Sequence, residues 1–461
     1  MRFCIYIILF TLTQIIYGQG GFKRNFKLPY SLNNTTKNVF ETTPGNYITC
    51  GIVVDTLNSF QTNRLAIMGL NSQGQLQWVK KYGNHKFEYL DNSLITKWFY
   101  KKDNFIYHAG CVRDSNNVQL GVLIKFDFNG DTIWQKKYYD STNIDVIPQM
   151  VCGSVDGGFL IAGFSQNWNN HTNPVLLIKT DVNGNELWRK KISKAIPNVH
   201  DAKVILQDSI SKKIVLAGYQ YIGTATAYSG YPSVLILDSL GNKLSQHGYT
   251  GQGLFTNLIQ TKDKKIIAIG AVGQPEIFGA LNSFKSIAVK FDVNNPTSPI
   301  WNYEFDKTAV TNFFTGITEL NNEDLLITGI LDTMQQNNLA TNCLQRIIRI
   351  NKNGNLLSTK YFDYSPNHLV DNNQTILSLN KTSDNGYISA FQVFNTSPSP
   401  FFVVKYDSTF CDSSVFYCQT VGLEELKSNN YKLNIYPNPT SDILNIELDD
   451  LFAVETATIK I

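Results

Sequence analysis

The chain has 461 residues, and 40 Lys and Arg against 37 Asp and Glu leave a formal net charge of +3. This balance argues against a nucleic-acid partner, and 43% hydrophobic residues with only 17% charged residues argue against a disordered chain. Aromatic residues at 12%, together with abundant Asn and Gly, indicate many short strands joined by tight turns.

The amino terminus has the pattern of a targeting signal. Arg2 is followed by an apolar stretch from Phe3 to Tyr17 and then by Gly18-Gln19. One early cation before an apolar core predicts a secretory signal peptide over residues 1–18, with cleavage after Gly18. The alternative, an uncleaved anchor, is disfavoured because the run is shorter than the ~20 residues of a spanning helix and lacks a charged stop. We expect no membrane span after cleavage.

Six cysteines remain after residue 18, and export would permit disulfides among them. They are Cys50, Cys111, Cys152, Cys343, Cys411 and Cys418. The close pair Cys411 and Cys418 is the predicted disulfide, whereas Cys50 and Cys111 lie in apolar runs and are predicted to be buried thiols outside any disulfide. No Cys/His spacing typical of zinc occurs, so no metal site is predicted.

The body of the chain is a tandem repeat. Each unit contains an apolar run ending in Gly, a variable loop, a second apolar run, an Asp-x-Asn-Gly type of turn, and an aromatic run rich in Lys. Aligned on the first Gly, the copies are 52 to 61 residues apart. They fall at Gly51, Gly110, Gly163, Gly218, Gly270 and Gly329, with Ala390 in the same place in a seventh copy.

Each unit predicts four short strands, A to D, with tight turns between A and B and between C and D. Four antiparallel strands per ~50 residues, repeated in tandem, are typical of a β-propeller blade. The sequence therefore predicts an all-β, seven-bladed β-propeller over residues 19–418, expected to be a monomer. A solenoid is the alternative, but its repeats are usually shorter.

Two segments are candidates for the strand that closes the ring. Strand D carries aromatic residues and lysines, as in Trp134-Gln-Lys-Lys-Tyr138, and Phe22-Lys-Arg-Asn-Phe26 has the same character. The segment at 22–26 is therefore one candidate for strand D of the seventh blade. Residues 410–418 are the other.

The B–C and D–A loops are long and varied, and in this blade order they lie together at one end of the ring. Variable loops on a rigid scaffold are where recognition usually resides. Five loop aromatics are predicted to stack on a sugar ring or anchor a protein partner. They are Trp168, Tyr221, Tyr228, Tyr231 and Phe278. The alternative is that these side chains only pack locally to hold the loops down.

Motifs for catalysis and cofactors are absent or weak. Asp181-Val-Asn-Gly-Asn-Glu resembles a fragment of a calcium loop but lacks the full ligand spacing, so a plain turn is expected. The six histidines are scattered, and no catalytic residues are predicted, although carboxylates converging at a ring centre are not excluded by sequence order.

The Gly-x-x-x-Trp spacing, as in Gly130–Trp134, resembles the docking motif of quinoprotein propellers. Those enzymes generally have eight blades and often a vicinal disulfide. This chain has seven repeats and no Cys-Cys. The resemblance thus favours a Trp packed between blades, and no cofactor is expected.

The carboxyl end carries the most specific motif, after a polar linker over residues 419–430. The segment 431–447 predicts a strand, a rigid Pro-Asn-Pro-Thr turn and a second strand with alternating apolar residues. It resembles the type IX secretion (Por) type A sorting domain of Bacteroidota over residues 431–461. The match rests on Tyr436, Pro437, Asn438, Pro439, Thr440, Asp442, Leu444, Asn445 and Ile446.

This resemblance implies a small β-sandwich tag that is recognised by the type IX secretion machinery, and hence a secreted protein or one on the outer-membrane surface. The sequence stops after two or three strands of the tag, so we expect a truncated sorting domain. The predicted function is a noncatalytic binding or adhesion module for a glycan or protein. The alternatives are a propeller enzyme, hydrolase or lyase, acting on extracellular polysaccharide, and a structural part of a surface layer.

Overall fold

The structure is a computed structural model. It describes residues 21–56, 61–84, 87–89, 98–113, 118–140, 144–167, 174–192, 199–222, 229–273, 284–305, 311–334, 340–362, 374–393, 399–408, 410, 433–436 and 445–448. These residues form strands and no helix, so none of the described chain is a helix long and apolar enough to cross a membrane. The chain divides into two units, Met1–Val415 and Phe416–Ile461.

The first unit contains seven antiparallel sheets, which confirms the predicted seven-bladed propeller. Blades one to three consist of β2 (Ser31–Thr43), β3 (Asn46–Asp55), β4 (Thr62–Leu70) and β5 (Leu76–Tyr82); β6 (Glu88–Tyr89), β7 (Phe99–Lys102), β8 (Phe105–Arg113), β9 (Gln119–Phe126) and β10 (Thr132–Tyr138); and β11 (Ile144–Gly153), β12 (Phe159–Asn167), β13 (Val175–Thr180) and β14 (Glu186–Ile192).

Blades four to seven complete the ring. They consist of β15 (Val199–Gln207), β16 (Ile214–Ile222), β17 (Ser229–Leu237) and β18 (Lys243–Gly248); β19 (Gln252–Gln260), β20 (Ile266–Gly273), β21 (Phe284–Phe291) and β22 (Trp301–Glu304); β23 (Thr311–Glu319), β24 (Leu325–Met334), β25 (Ala340–Ile350) and β26 (Leu356–Phe362); and β27 (Gln374–Lys381), β28 (Tyr387–Val393), β29 (Phe401–Tyr406) and β1 (Phe22–Phe26).

The ring is closed by the start of the described chain. Strand β1 pairs antiparallel with β29, from Phe22 opposite Lys405 to Phe26 opposite Phe401. The first of the two predicted segments is therefore confirmed as strand D of the seventh blade. Phe410 instead stacks on Tyr387, with ring centroids 4.4 Å apart. Because the first and last parts of the sequence share one sheet, the ring has no open seam between blades seven and one.

The inner strands are apolar on both sides because each sheet is covered by a neighbouring blade on each face. All six residues of β13 are buried, whereas the outermost strand β14 is exposed or half-buried. The apolar clusters join adjacent blades, as where Cys50 and Leu65 of blade one pack with Val122 and Phe126 of blade two. The core is thus a set of layers between blades.

A β-bulge in strand A explains the Gly that repeats in strand B. Register shifts occur in the A strands of six blades, all but the second. In blade three the bulge brings the carbonyl oxygen of Ile147 against Gly163, where an added Cβ would lie 2.1 Å from it. In blade three such a close backbone approach leaves room only for Gly.

The alignment of the seventh copy on Ala390 is wrong by one residue. Ala390 pairs with Ser378 beyond the bulge, whereas Phe391 faces Ile376 as Gly163 faces Pro148. The physical equivalent of the repeated Gly in blade seven is therefore Phe391.

The second unit contains one described hairpin. Strands β30 (Leu433–Tyr436) and β31 (Asn445–Leu448) pair antiparallel, with Tyr436 opposite Asn445. The structure thus places two described strands where the sequence predicted two strands and a rigid turn.

Candidate functional site

A cavity of about 560 Å³ lies where the innermost strands meet, and all seven blades line it. One lining residue from each blade, in chain order, is Glu41, Lys101, Gly153, Gln207, Asn257, Ile317 and Lys381. Several of these residues end the innermost strands and lead into the A–B turns. The cavity therefore lies at the end of the ring with the short turns, away from the long loops. Its volume is typical of a small-ligand site.

The carboxylate of Glu41 is already bound. Its Oε2 accepts a hydrogen bond from the Ser383 N–H at 2.6 Å, and its Oε1 accepts from the Ser383 hydroxyl at 2.9 Å and from the Gly45 N–H at 3.1 Å. Lys101 Nζ donates to the backbone oxygen of Glu41 at 2.6 Å. Glu41 is the only carboxylate among the described residues that line this cavity, so these residues do not form the carboxylate pair that glycoside hydrolysis uses.

The amides of the cavity connect neighbouring blades. Gln207 Oε1 accepts from the Ser154 hydroxyl at 2.7 Å and from the Val155 N–H at 3.0 Å. Asn257 Nδ2 donates to the Thr315 carbonyl at 3.0 Å, and Asn380 Nδ2 donates to the Val39 carbonyl at 2.8 Å. These bonds use much of the polar capacity of the lining to hold the ring together.

Among the described residues, Ser378 and Lys381 are the polar side chains of the lining that we assign to a ligand. The hydroxyl of Ser378 is buried and makes no hydrogen bond with any described residue. Lys381, at the end of β27, brings an ammonium to the same cavity. A buried hydroxyl without a partner is costly unless something binds it. The aromatic side chains of Phe40, Phe99 and Tyr100 complete the lining and supply apolar surface.

Two of the five predicted loop aromatics are strand residues toward the opposite end of the ring. Tyr221 lies in β16, with its backbone opposite Val199 and Gly230, and Tyr231 lies half-buried in β17 opposite Gln220. Their placement in a loop was wrong, because hydrogen bonding between β16 and β17 extends further than the hydropathy pattern indicates. Trp168, Tyr228 and Phe278 lie outside the described residues.

The D-strand tryptophans pack on the next blade. A Cβ added to Gly130, Gly184, Gly241 or Gly354 would lie 2.8 to 2.9 Å from the ring of Trp78, Trp134, Trp188 or Trp301, respectively. Phe22 takes the same role on Gly74 at the closure. These contacts confirm the packing between blades expected from the Gly-x-x-x-Trp spacing. Where Asn295 replaces the Gly in blade five, Ser245 of blade four replaces the Trp.

The fragment that resembles a calcium loop is a plain turn. Asp181 Oδ1 accepts the N–H groups of Asn183 and Asn185 at 2.9 and 2.8 Å, and Oδ2 accepts from Asn185 Nδ2 at 2.8 Å. These hydrogen bonds hold the pKa of Asp181 below its usual value. Within the described ranges, no cluster of His, Cys, Asp and Glu is suited to a metal ion.

Cysteines and the sorting motif are described in part. Cys50 and Cys111 are buried and form no disulfide, as predicted, and Cys152 of the cavity lining also forms none. The predicted pair Cys411 and Cys418 lies outside the described residues. Of the sorting motif, Tyr436 ends β30 and Asn445 and Ile446 begin β31. Outside the described residues lie Pro437, Asn438, Pro439, Thr440, Asp442 and Leu444.

The residues of the central cavity were missed at the sequence level. Their signal is weak, because Glu41, Gln207 and Lys381 are single polar residues at the end of strand A, 166 or more positions apart. A second residue missed was Arg346, a fully buried cation in β25. Arg346 occupies the position that Leu176 occupies in blade three. An alignment of the C strands would have revealed this departure from the repeat.

Comparison with known proteins identifies no family for this chain. No protein-family model matches the chain, and no characterised protein is significantly similar in sequence. Among solved structures, a protein of unknown function from Bacteroides caccae is 13% identical, with a TM-score of 0.39, over 71% of this chain and 97% of that chain. The β-propeller domain of the Trilobed protease from Pyrococcus furiosus is 8% identical, with a TM-score of 0.42, over 80% of this chain and 95% of that chain.

A third similar structure is the α-L-arabinofuranosidase Arb93A from Fusarium graminearum, 9% identical, with a TM-score of 0.40, over 84% of this chain and 97% of that chain. The fold defines the protein as a seven-bladed β-propeller and leaves its function to be argued from its own residues.

Proposed function

We propose that this protein is a noncatalytic binding or adhesion module whose ligand is a glycan or a protein. The observation that carries the proposal is the state of Glu41, the one carboxylate among the described residues that line the central cavity. Both of its oxygens accept hydrogen bonds from the A–B turns of blades one and seven. A carboxylate held in this way stabilises the ring, and the described lining offers it no second carboxylate for general acid and base chemistry.

The same cavity supports binding. The buried Ser378 hydroxyl lacks a partner among the described residues, and apolar aromatic side chains surround a space of about 560 Å³. A few placed polar groups in a largely preformed apolar cavity are typical of a ligand site. The second place for a ligand is the long-loop end, which carries Tyr231 and the other predicted aromatics.

A glycan array with the mature chain, followed by product analysis, tests the proposal. We expect retention of a ligand without turnover. Cleavage of a bound polysaccharide would contradict the binding module and support the alternative, a polysaccharide-acting hydrolase or lyase. If no glycan or surface protein is retained, the structural role in a surface layer is favoured instead.

Two pairs of substitutions locate the ligand. Ser378→Val with Lys381→Met alters the cavity, and Trp168→Ala with Tyr231→Ala alters the long-loop end. The pair that abolishes retention while leaving the thermal midpoint unchanged identifies the binding end. If neither pair reduces retention, both assignments are wrong.

We further propose export by signal peptide and type IX secretion, which makes the protein secreted or displayed on the outer-membrane surface. The support is the amino-terminal pattern over residues 1–18 and the resemblance over residues 431–461. A reporter fused to residues 420–461 and expressed in a host with this secretion system should appear outside the cell. Retention in the periplasm would show that the tag as written is insufficient.

A further inference from the structure

Arg346 is a buried cation without a counter-charge among the described residues. The side chain lies in β25 of blade six and is 0% exposed. Its Nη2 donates to the Ser286 hydroxyl of blade five and to Asn312 Oδ1, both neutral acceptors. The guanidinium carbon lies 4.1 Å from the ring centroid of Phe305 and 4.7 Å from that of Phe314. Nε and Nη1 have no hydrogen-bond partner in the part of the chain that the structure describes.

The neighbouring arginine on the same strand shows the usual arrangement. Arg349 Nε donates to Asp324 Oδ2 at 2.8 Å, and Arg349 Nη2 lies 2.6 Å from the same oxygen. Arg349 is thus partly exposed and paired with a carboxylate, whereas Arg346 is enclosed and has no carboxylate partner among the described residues. Strand β25 therefore carries both Arg346 and a second arginine, Arg349, that serves as its control.

The repeat shows that the fold does not require a charge at this position. The residue three positions before the paired cation is Leu176 in blade three and Ile287 in blade five, as counted from Lys179 and Lys290. Both are buried apolar residues between blades. An apolar side chain therefore satisfies the packing at this level of the blade.

An unpaired buried charge is among the most costly features that a protein can retain. Burial accordingly lowers the pKa of Arg346, to about 9. Cation–π contacts with two rings and hydrogen bonds to neutral acceptors offset this cost only in part. An anion beside Nε or Nη1 would supply both the missing charge and the missing acceptor.

We propose that Arg346, with Ser286 and Asn312, forms a binding site for a small monovalent anion, of the halide class, between blades five and six. Asn312 is the second residue of β23 and Ser286 is the third of β21, so the site lies toward the end of the ring that carries the long loops. Nε and Nη1 provide the donors. The anion joins the two blades and neutralises the guanidinium.

Halide titration of the mature chain tests this site. The thermal midpoint is measured after long equilibration in sodium bromide at constant ionic strength, balanced with sodium methanesulfonate. We expect the midpoint of the natural chain to rise by about 2 °C for each tenfold increase in bromide above the dissociation constant. Arg346→Leu, which restores the residue of blade three, should remove this dependence.

Arg349→Leu is the matched control, and we expect a lower midpoint with the bromide response retained. A crystal grown in bromide gives an independent readout, with an anomalous peak expected within hydrogen-bond distance of Arg346 Nε or Nη1 in the natural chain. The proposal is overturned if the natural chain shows no bromide response and no anomalous peak there, or if Arg346→Leu keeps the response.

Discussion

The packing of Trp134 on Gly184 leads to a quantitative prediction. Gly184 lies in the C–D turn of blade three with φ of +77°, and an added Cβ would lie 2.8 Å from Trp134 Cη2 and 2.9 Å from Lys136 Cγ. Gly184→Ala therefore combines two costs. One is the left-handed backbone conformation, and the other is the collision with the indole ring of the preceding blade.

Gly157 separates these two costs. It has φ of +91°, and an added Cβ there would meet nothing within 4 Å. Gly157→Ala should therefore cost only the left-handed conformation, about 1–2 kcal/mol. Gly184→Ala should cost a further 1–3 kcal/mol or so for overpacking against the ring.

Urea unfolding followed by tryptophan fluorescence and circular dichroism measures the difference. In a Trp134→Ala background the collision with the indole is absent and only the contact with Lys136 Cγ is left, which the flexible Lys side chain can relieve by a small shift, so Gly184→Ala should cost about the same as Gly157→Ala. The coupling energy between Trp134 and Gly184 is then about 1–3 kcal/mol. The reasoning is refuted if Gly184→Ala and Gly157→Ala cost the same in the natural chain, or if removal of the indole leaves the cost of Gly184→Ala unchanged.

Three further predictions concern pH and ring closure. Burial lowers the pKa of His108 to about 3. The free energy of unfolding should therefore fall by up to about 1.4 kcal/mol per pH unit below pH 6.5, because the unfolded chain takes up a proton that the folded chain does not. His108→Phe should reduce the pH dependence of the urea midpoint measured from pH 7 to 5. For Asp384, burial acts to raise the pKa, but hydrogen bonds from Lys405, Thr382 and the Gly386 N–H hold it below its usual value. Its stabilisation is present above the unfolded pKa of about 3.9 and is lost as the pH falls through the lower folded value, so Asp384→Asn should weaken the chain at pH 6 more than at pH 3; equal loss at both would contradict this. Phe22 is 3% exposed, so Phe22→Ala should cost about 3–5 kcal/mol in urea unfolding, whereas Tyr30→Ala, at a site 68% exposed, should change stability by less than about 0.5 kcal/mol.

Much of the fold could be predicted from the sequence because its signals are local. The turn at Asp181 is determined by side-chain and backbone groups within four residues, and the alternation of apolar residues sets each strand. Seven copies of one unit therefore indicated seven blades. The Gly-x-x-x-Trp spacing also carried information across blades, because the same short motif supplies the Gly for one neighbour and the Trp for the other.

The candidate site could not be predicted in the same way. Its lining brings together Glu41 and Lys381, which lie in neighbouring blades but 340 positions apart in the sequence, and Glu41 binds Ser383, 342 positions away. The residues next to Glu41 and Ser383 in the sequence give no indication of this contact. The seventh copy gave a second difficulty, because Ala390 was aligned with the repeated Gly, whereas the pairing of β27 with β28 identifies Phe391 as its equivalent.

The sequence by itself determined the repeat, the number of blades, the hairpin turns and the rim contacts of Trp with Gly, because each depends on residues within one unit or on the same motif in the next. Only the tertiary structure decided that Phe22–Phe26 closes the ring, that Glu41 is held by neighbouring turns, and that Arg346 is buried without a described counter-charge. These features depend on contacts between blades that form only when the ring closes. Those contacts decide which side chains are buried and which groups are paired by hydrogen bonds.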